Sequence, residues 1–281
     1  MINKHIRIGE NNTLKINRFT DPGAYLEAQD EEVVLLPRGY LNDEMKIDDE
    51  LEVFVYTDSE DRPVATTEEP LAYKDQFLYS KVLDTNKQGA FMDIGLQKDL
   101  FVPKNRQKKP FRTGEYRIVR VVKDELTNRL HGEESITKYL LKNTKHFTPN
   151  QEVNILIFAK TPLGYKVIVE NNYEGLLYEN EIFQQVNTGD KLTAYIKEKR
   201  ADGKLDISLQ PSGKNNALEI DTKKILDLLR TNDGSLPYTY KMEPQTIKKV
   251  FGISKKAYKR ALTTLIESKK IELKENGIEL L

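Results

Sequence analysis

The sequence predicts a multidomain, mainly β protein, with three consecutive five-stranded β-barrels followed by a small α+β domain. Three observations predict it. A strand–turn–strand pattern recurs three times with the same internal spacing, each copy fills roughly 65 to 75 residues without a long helix, and the C-terminal block after residue 213 changes to a helical apolar period.

The repeats begin with Gly23-Ala24-Tyr25 leading to Val34-Leu35-Leu36-Pro37, Gly89-Ala90-Phe91 leading to Leu100-Phe101-Val102-Pro103, and Gly164-Tyr165-Lys166 leading to Gly175-Leu176-Leu177-Tyr178. The offsets Gly23 to Pro37, Gly89 to Pro103 and Gly164 to Tyr178 are identical. Each glycine is expected where a strand bends to close a barrel and a side chain would clash. Every copy continues through a turn (Asp48-Asp49-Glu50, Thr113-Gly114-Glu115, Thr188-Gly189-Asp190) into an alternating run: Leu51 to Tyr56, Tyr116 to Val122, Leu192 to Lys197. Charged hairpins at 58–61, 124–128 and 201–204 then lead to a last short strand. Five short strands per copy is the grammar of the OB-fold.

Between the second and third copies, Glu133 to Lys145 has helical spacing and predicts a linker helix, ended by Pro149-Asn150. Residues 211–216 read as a polar interdomain linker. A helix is then expected over Asp221 to Arg230, capped by Asp221, and a second over Pro244 to Phe251, with Gly252 past its end. Ser254 caps a third over Lys255 to Ser268, and the hairpin Ile271–Lys274, Asn276-Gly277, Ile278–Leu280 closes the domain. Three helices and a terminal β-wing describe a winged helix. The expected domains are therefore 1–66, 67–146, 147–213 and 214–281, the second with its trailing linker helix.

Composition narrows the function. The chain has no Cys, which excludes a disulfide framework and a thiolate metal site. No apolar run is long enough for a membrane span, and the first residues lack a secretory signal, so a cytoplasmic protein without a membrane partner is expected. Formal net charge is zero, but the first seventy residues are strongly acidic and the remainder basic. His5, His131 and His146 have no metal-ligand or triad spacing, no Walker-type loop occurs, and neither catalysis nor a cofactor or metal is expected.

A small barrel that holds a single strand needs rings for stacking and cations for phosphates. Tyr25 and Phe91 share a repeat position two after the glycine; the third copy has Lys166 there, with Tyr165 beside it, and Tyr178 fourteen after the glycine. Lys104, Arg106, Lys108, Lys109 and Arg112 form a loop with no acid. In the C-terminal domain, Lys248, Lys249, Lys255, Lys256, Lys259 and Arg260, with Tyr258 among them, flank the helix-turn-helix. Lysine there suits sequence-independent phosphate binding better than base reading.

Gly-Ala-Phe followed by Leu-Phe-Val-Pro or Gly-Leu-Leu-Tyr resembles the S1-type RNA-binding motif across residues 17–210, and the three barrels are S1-like in that sense. The resemblance implies RNA contacts at Tyr25, Phe91 and Tyr178; Pro37 and Pro103 stand where it would place a second contact residue, and Lys166 where it would place an aromatic. The order of three such barrels and a winged helix, with residues 89–103 at its centre, is similar to the bacterial conserved virulence factor B family. That resemblance implies an RNA-binding regulator of virulence gene expression. The expected partner is single-stranded RNA, held mainly by the second and third barrels and the C-terminal domain. Two alternatives stay open: a DNA-binding regulator acting through the winged helix, and a protein-interaction scaffold using the acidic first barrel. Oligomeric state is not legible in the sequence.

Overall fold

Alternation of apolar and polar residues along Asn11–Thr20 sends Asn12, Leu14 and Ile16 inward, and the same period-two pattern recurs along Val33–Pro37 and Leu100–Pro103. The structure is a computed structural model that describes residues 1–182, 184–211 and 214–281. It divides into two units, Met1–Tyr139 with the first two barrels and Leu140–Leu281 with the third barrel and the C-terminal domain.

The first barrel comprises β1 (Asn11–Thr20), β2 (Gly23–Glu27), β3 (Val33–Pro37), β4 (Glu50–Thr57) and β5 (Pro63–Thr66), in the closed order β1-β2-β3-β5-β4. The second repeats this order with β6 (Phe77–Thr85), β7 (Gly89–Met92), β8 (Leu100–Pro103), β9 (Tyr116–Lys123) and β10 (Leu130–Glu133). The third does so with β11 (Glu152–Thr161), β12 (Gly164–Val169), β13 (Tyr173–Tyr178), β14 (Lys191–Lys199) and β15 (Leu205–Ser208). In each, one parallel pair, β3–β5, β8–β10 or β13–β15, joins the meander to the returning strand. Closure leaves no long edge to pair elsewhere.

The first strand of each barrel serves two neighbours and must curve. A register shift interrupts it at the same place each time: between Ile16 and Arg18, Val82 and Asp84, and Ile157 and Ala159. One extra residue sharpens the local twist and lets a strand of nine or ten residues wrap around its core.

The common glycine offset is the register of the β2–β3 type of hairpin. Gly23 faces Pro37, Gly89 faces Pro103, and Gly164 faces Tyr178. A Cβ on Gly23 would lie 2.0 Å from the Leu36 carbonyl oxygen, and one on Gly164 would lie 2.1 Å from that of Leu177. Their φ values of 155° and 141° also disfavour an L side chain. The clash expected from sequence is therefore with the facing strand's backbone.

The linker helix is not formed. Glu133 ends β10, a single 3-10 turn covers Ile136–Tyr139, and Leu141 bridges to Tyr173. Helical spacing loses here because the acids are committed elsewhere. Glu133 accepts from Tyr139 Oη at 2.6 Å and Lys138 Nζ at 3.1 Å, and Glu134 from Arg117 at 3.2 Å. The Arg120 guanidinium covers the Tyr139 ring at 4.7 Å. A helix through this segment would break that buried polar set.

The C-terminal domain comprises α1 (Lys214–Thr231), β16 (Ser235–Leu236), α2 (Pro244–Phe251), α3 (Lys255–Glu267), β17 (Ile271–Lys274) and β18 (Gly277–Leu280), with a sheet in the order β16-β18-β17. Ser254 caps α3 by accepting from the Ala257 amide at 3.2 Å, and Gly252 ends α2 in the left-handed region. The expected Asp221 cap is wrong. The helix starts at Lys214, within the stretch read as a linker, and Asp221 is a mid-helix residue only 1% exposed. Packing of Ile225 and Leu229 into the domain core outweighs the weak helix preference of the asparagines before it. Ser212 and Gly213 of that linker lie outside the described residues.

Candidate nucleic-acid interface

Three adjacent strands of the second barrel carry one ring each at matched height. Phe91 on β7 faces Phe101 on β8, and His131 on β10 faces Phe101 across the parallel pair. The two phenyl centroids are 5.2 Å apart, and all three residues are half-buried. Alternation explains the placement. Ala90, Met92, Leu100 and Val102 point into the core, so Phe91 and Phe101 must point out.

The equivalent row in the first barrel is Tyr25, Leu35 and Val64, and in the third Lys166, Leu176 and Asp206. Among the described residues, only the second barrel therefore offers a continuous aromatic row at this position. The rings line a cleft of about 590 Å³ whose rim includes Lys98, Arg106 and Arg129. Burial holds the His131 imidazole below its ordinary pKa, and the nearby Arg106 charge adds to this, so the ring is neutral at pH 7.

The basic loop begins where β8 ends. Lys104, Arg106, Lys108, Lys109 and Arg112 are all exposed. Gln107 pins the loop, donating to the Val102 carbonyl at 2.9 Å and accepting from the Phe111 amide at 3.0 Å. Phe111 is buried under the Arg117 guanidinium, 4.8 Å from its ring. The loop is thus a shaped cationic ledge. Arg106 is shared with Glu133 at 3.5 Å, and Arg112 sits in the charge field of Glu115.

The other expected contact residues are engaged within their own barrels. Tyr25 is covered by Arg18, whose guanidinium lies 4.2 Å from the ring centroid. Tyr178 donates to Asp206 at 3.3 Å, and Lys166 pairs with Glu174 at 3.5 Å. Tyr165 is not a surface ring at all. It is 9% exposed and belongs to the third barrel's core, because in β12 its neighbours in the chain set the opposite phase from Lys166.

In the C-terminal domain, Lys248, Lys249, Lys256 and Lys259 are exposed and Lys255 is half-buried. A crevice of about 700 Å³ beside α2 is lined by Lys224, Lys248 and Lys249 with the amides Gln184, Gln185 and Gln245. Tyr258 cannot join them. It is fully buried, packs on Phe251 with centroids 4.7 Å apart and donates to the Tyr238 carbonyl at 3.3 Å. Arg260 turns inward toward the buried Asp221 at 3.8 Å.

The repeat pattern does not mark Phe101 or His131 as contact residues. Phe101 had a signal, since its repeat position holds Leu35 and Leu176 in the other copies. His131 had none, because only the parallel pairing of β8 and β10 places it beside Phe101. Among the described residues, His5, Asp30 and Glu32 could gather around an ion, but all three are exposed surface groups. No helix among the described residues is long and apolar enough to cross a membrane.

Residues 8–68 match the S1 domain family, and residues 223–280 match the CvfB-like winged helix domain. Both are nucleic-acid-binding domain types. Over most of its length the chain is similar to the uncharacterized protein YitL of Bacillus subtilis, at 28% identity covering 97% of this chain and 93% of the relative. It is also similar to conserved virulence factor B of Staphylococcus aureus, at 29% identity covering 85% and 82%, and of Staphylococcus haemolyticus, at 29% covering 91% and 88%. The resemblance expected from the repeats is thereby met. A crystal structure of a multidomain protein with nucleic acid binding domains from Streptococcus pneumoniae aligns at 25% identity over 98% of both chains, with a TM-score of 0.41.

Proposed function

We propose that this protein is a cytoplasmic RNA-binding regulator that holds single-stranded RNA on the second barrel, with the lysines of the C-terminal domain as a second, charge-based contact. The row Phe91, Phe101, His131 carries this reading. Each base stacked on such a ring gains roughly 1–3 kcal/mol, whatever its edge offers. The adjoining ledge, Lys104 to Lys109, supplies the phosphate side. Virulence gene expression as the regulated process rests on the names of the staphylococcal relatives.

The C-terminal domain supports phosphate contact over base reading, because the exposed cations of α3 are Lys256 and Lys259 rather than residues that make bidentate base contacts. Two contact surfaces in one chain raise affinity through effective concentration. The test compares full-length protein and Phe91→Ala/Phe101→Ala on single-stranded RNA, single-stranded DNA and duplex DNA at two salt concentrations. Tightest binding to single-stranded RNA, lost in the double variant, is expected. Equal binding of duplex DNA by both proteins would move the function to the winged helix.

A further inference from the structure

The acidic first barrel reaches into the second barrel's cleft. Ser59 and Asp61, from the hairpin between β4 and β5, line the same cleft as Phe91, Phe101 and His131. The Asp61 carboxylate takes both Nε and Nη2 of Arg129 in a two-pronged ion pair, across 68 residues of sequence. Lys98 donates from Nζ to the carbonyl oxygens of Thr57 and Asp58, each at 2.7 Å. One hairpin of the first barrel thus satisfies two cations of the second.

The two barrels are held in place for this. The Gly9 amide donates to Val55 at 2.7 Å while its carbonyl accepts from the Lys74 amide at 2.8 Å, and Phe54 meets Tyr73 edge to face at 5.8 Å. Lys74 also pairs with Glu10 at 2.6 Å. The hairpin itself is closed by Asp58, which accepts from the Arg62 side chain at 2.8 Å, and by the left-handed residue Asp61.

Strand direction gives the clamp its meaning. Strands β8 and β10 run parallel, with Phe101 facing His131. Lys98 and Arg129 precede these strands, whereas Lys104 and Arg106 follow β8. The aromatic row therefore lies between an end whose cations the first barrel engages, Arg129 through a carboxylate and Lys98 through backbone carbonyls, and an end where Lys104 is exposed and Arg106 is shared with Glu133 of the same barrel. A carboxylate held by a two-pronged guanidinium pair leaves little of that charge for a phosphate.

We infer that the nucleic-acid site of the second barrel is composite, and that Asp61 of the first barrel limits its affinity and sets the side on which the backbone lies by withholding Arg129 from phosphate. The inference rests on the proposed stacking of single-stranded RNA on Phe91 and Phe101. The backbone is drawn toward the Lys104–Arg106 end, and the bases are presented along the row in one direction. The acidic first barrel acts as a wall of its neighbour's site instead of as a third equivalent binder.

A mutant cycle on the full chain tests this with a short single-stranded RNA and fluorescence anisotropy. Asp61→Asn releases Arg129 while the Lys98 contacts to backbone carbonyls persist. Affinity should rise by about fivefold at low salt, and the log–log salt slope should steepen by about 0.7, the increment of one added phosphate contact on a single strand. Arg129→Ala alone should change affinity less than about twofold, and Asp61→Asn/Arg129→Ala should return to the wild-type value. The idea is overturned if Arg129→Ala weakens wild-type binding as much as it weakens the Asp61→Asn variant. It is also overturned if Asp61→Asn binds like wild type at a temperature where both proteins are folded. Phe91→Ala, measured alongside, separates the two levels: if it binds RNA as wild type does, the stacking reading itself has failed.

Discussion

Phe91 and Phe101 face each other from neighbouring antiparallel strands with ring centroids 5.2 Å apart and an interplanar angle of 44°. The pair is tilted, so two faces are presented at an angle rather than as one flat shelf. Because the rings touch, their contributions to binding are coupled. Phe91→Ala and Phe101→Ala should each weaken RNA binding by roughly 1–3 kcal/mol, and the double variant should lose less than the sum. Anisotropy titrations of the four proteins check this; full additivity would show that the rings do not act as one platform.

The ledge after β8 makes a different kind of contact. Replacing Lys104, Lys108 and Lys109 together by Ala should weaken binding alike for all RNA sequences and flatten the log–log salt slope by about 2. No loss of stability is expected, since these side chains are exposed while Gln107 and Phe111 hold the loop. An unchanged slope would place the backbone elsewhere.

His131 gives a pH signature. Its pKa in the folded chain is held below 6.5 by burial, with Arg106 reinforcing the shift, so between those two values the unfolded chain binds more protons. Stability should therefore fall as pH drops below about 6.5. His131→Phe keeps a ring in the row and removes this component. Its melting temperature should fall less than that of the wild type between pH 7 and pH 5, with RNA binding at pH 7.5 retained.

The barrel glycines are expected to be intolerant. In Gly164→Ala the new methyl meets the Leu177 carbonyl oxygen at 2.1 Å and the Glu179 amide nitrogen at 2.7 Å, both backbone atoms. Overpacking against backbone, added to the φ of 141°, should cost about 2 kcal/mol or more. Thermal unfolding followed by circular dichroism measures it.

In the C-terminal domain, burial separates structure from contact. Tyr258→Ala removes a fully buried ring and should destabilise the domain by about 3–5 kcal/mol, while Tyr258→Phe loses only the bond to the Tyr238 carbonyl, about 1 kcal/mol. Lys256→Ala/Lys259→Ala should leave the melting temperature unchanged and reduce nucleic-acid affinity. Denaturant unfolding and binding at fixed salt distinguish the two classes.

Local grammar is legible in the residues alone. The equal glycine offsets are the hairpin register, the alternating runs are the strands, and Ser254, Gly252 and Asn276-Gly277 mark the ends of the C-terminal elements. Each of these depends on residues close in the chain, where φ preference, capping and side-chain alternation act directly. Tertiary structure decided what local signals cannot carry. The buried Glu133 and Glu134 gave up helical spacing to bonds with Tyr139 and Arg117, Tyr258 and Tyr165 went into cores, and α1 extended through residues that read as a linker. The parallel pairing of β8 with β10 set His131 beside Phe101, and closure of two barrels against one another brought Asp61 to Arg129. Those contacts join residues far apart in sequence, and only the closed fold, by bringing distant strands together, selects which of them meet.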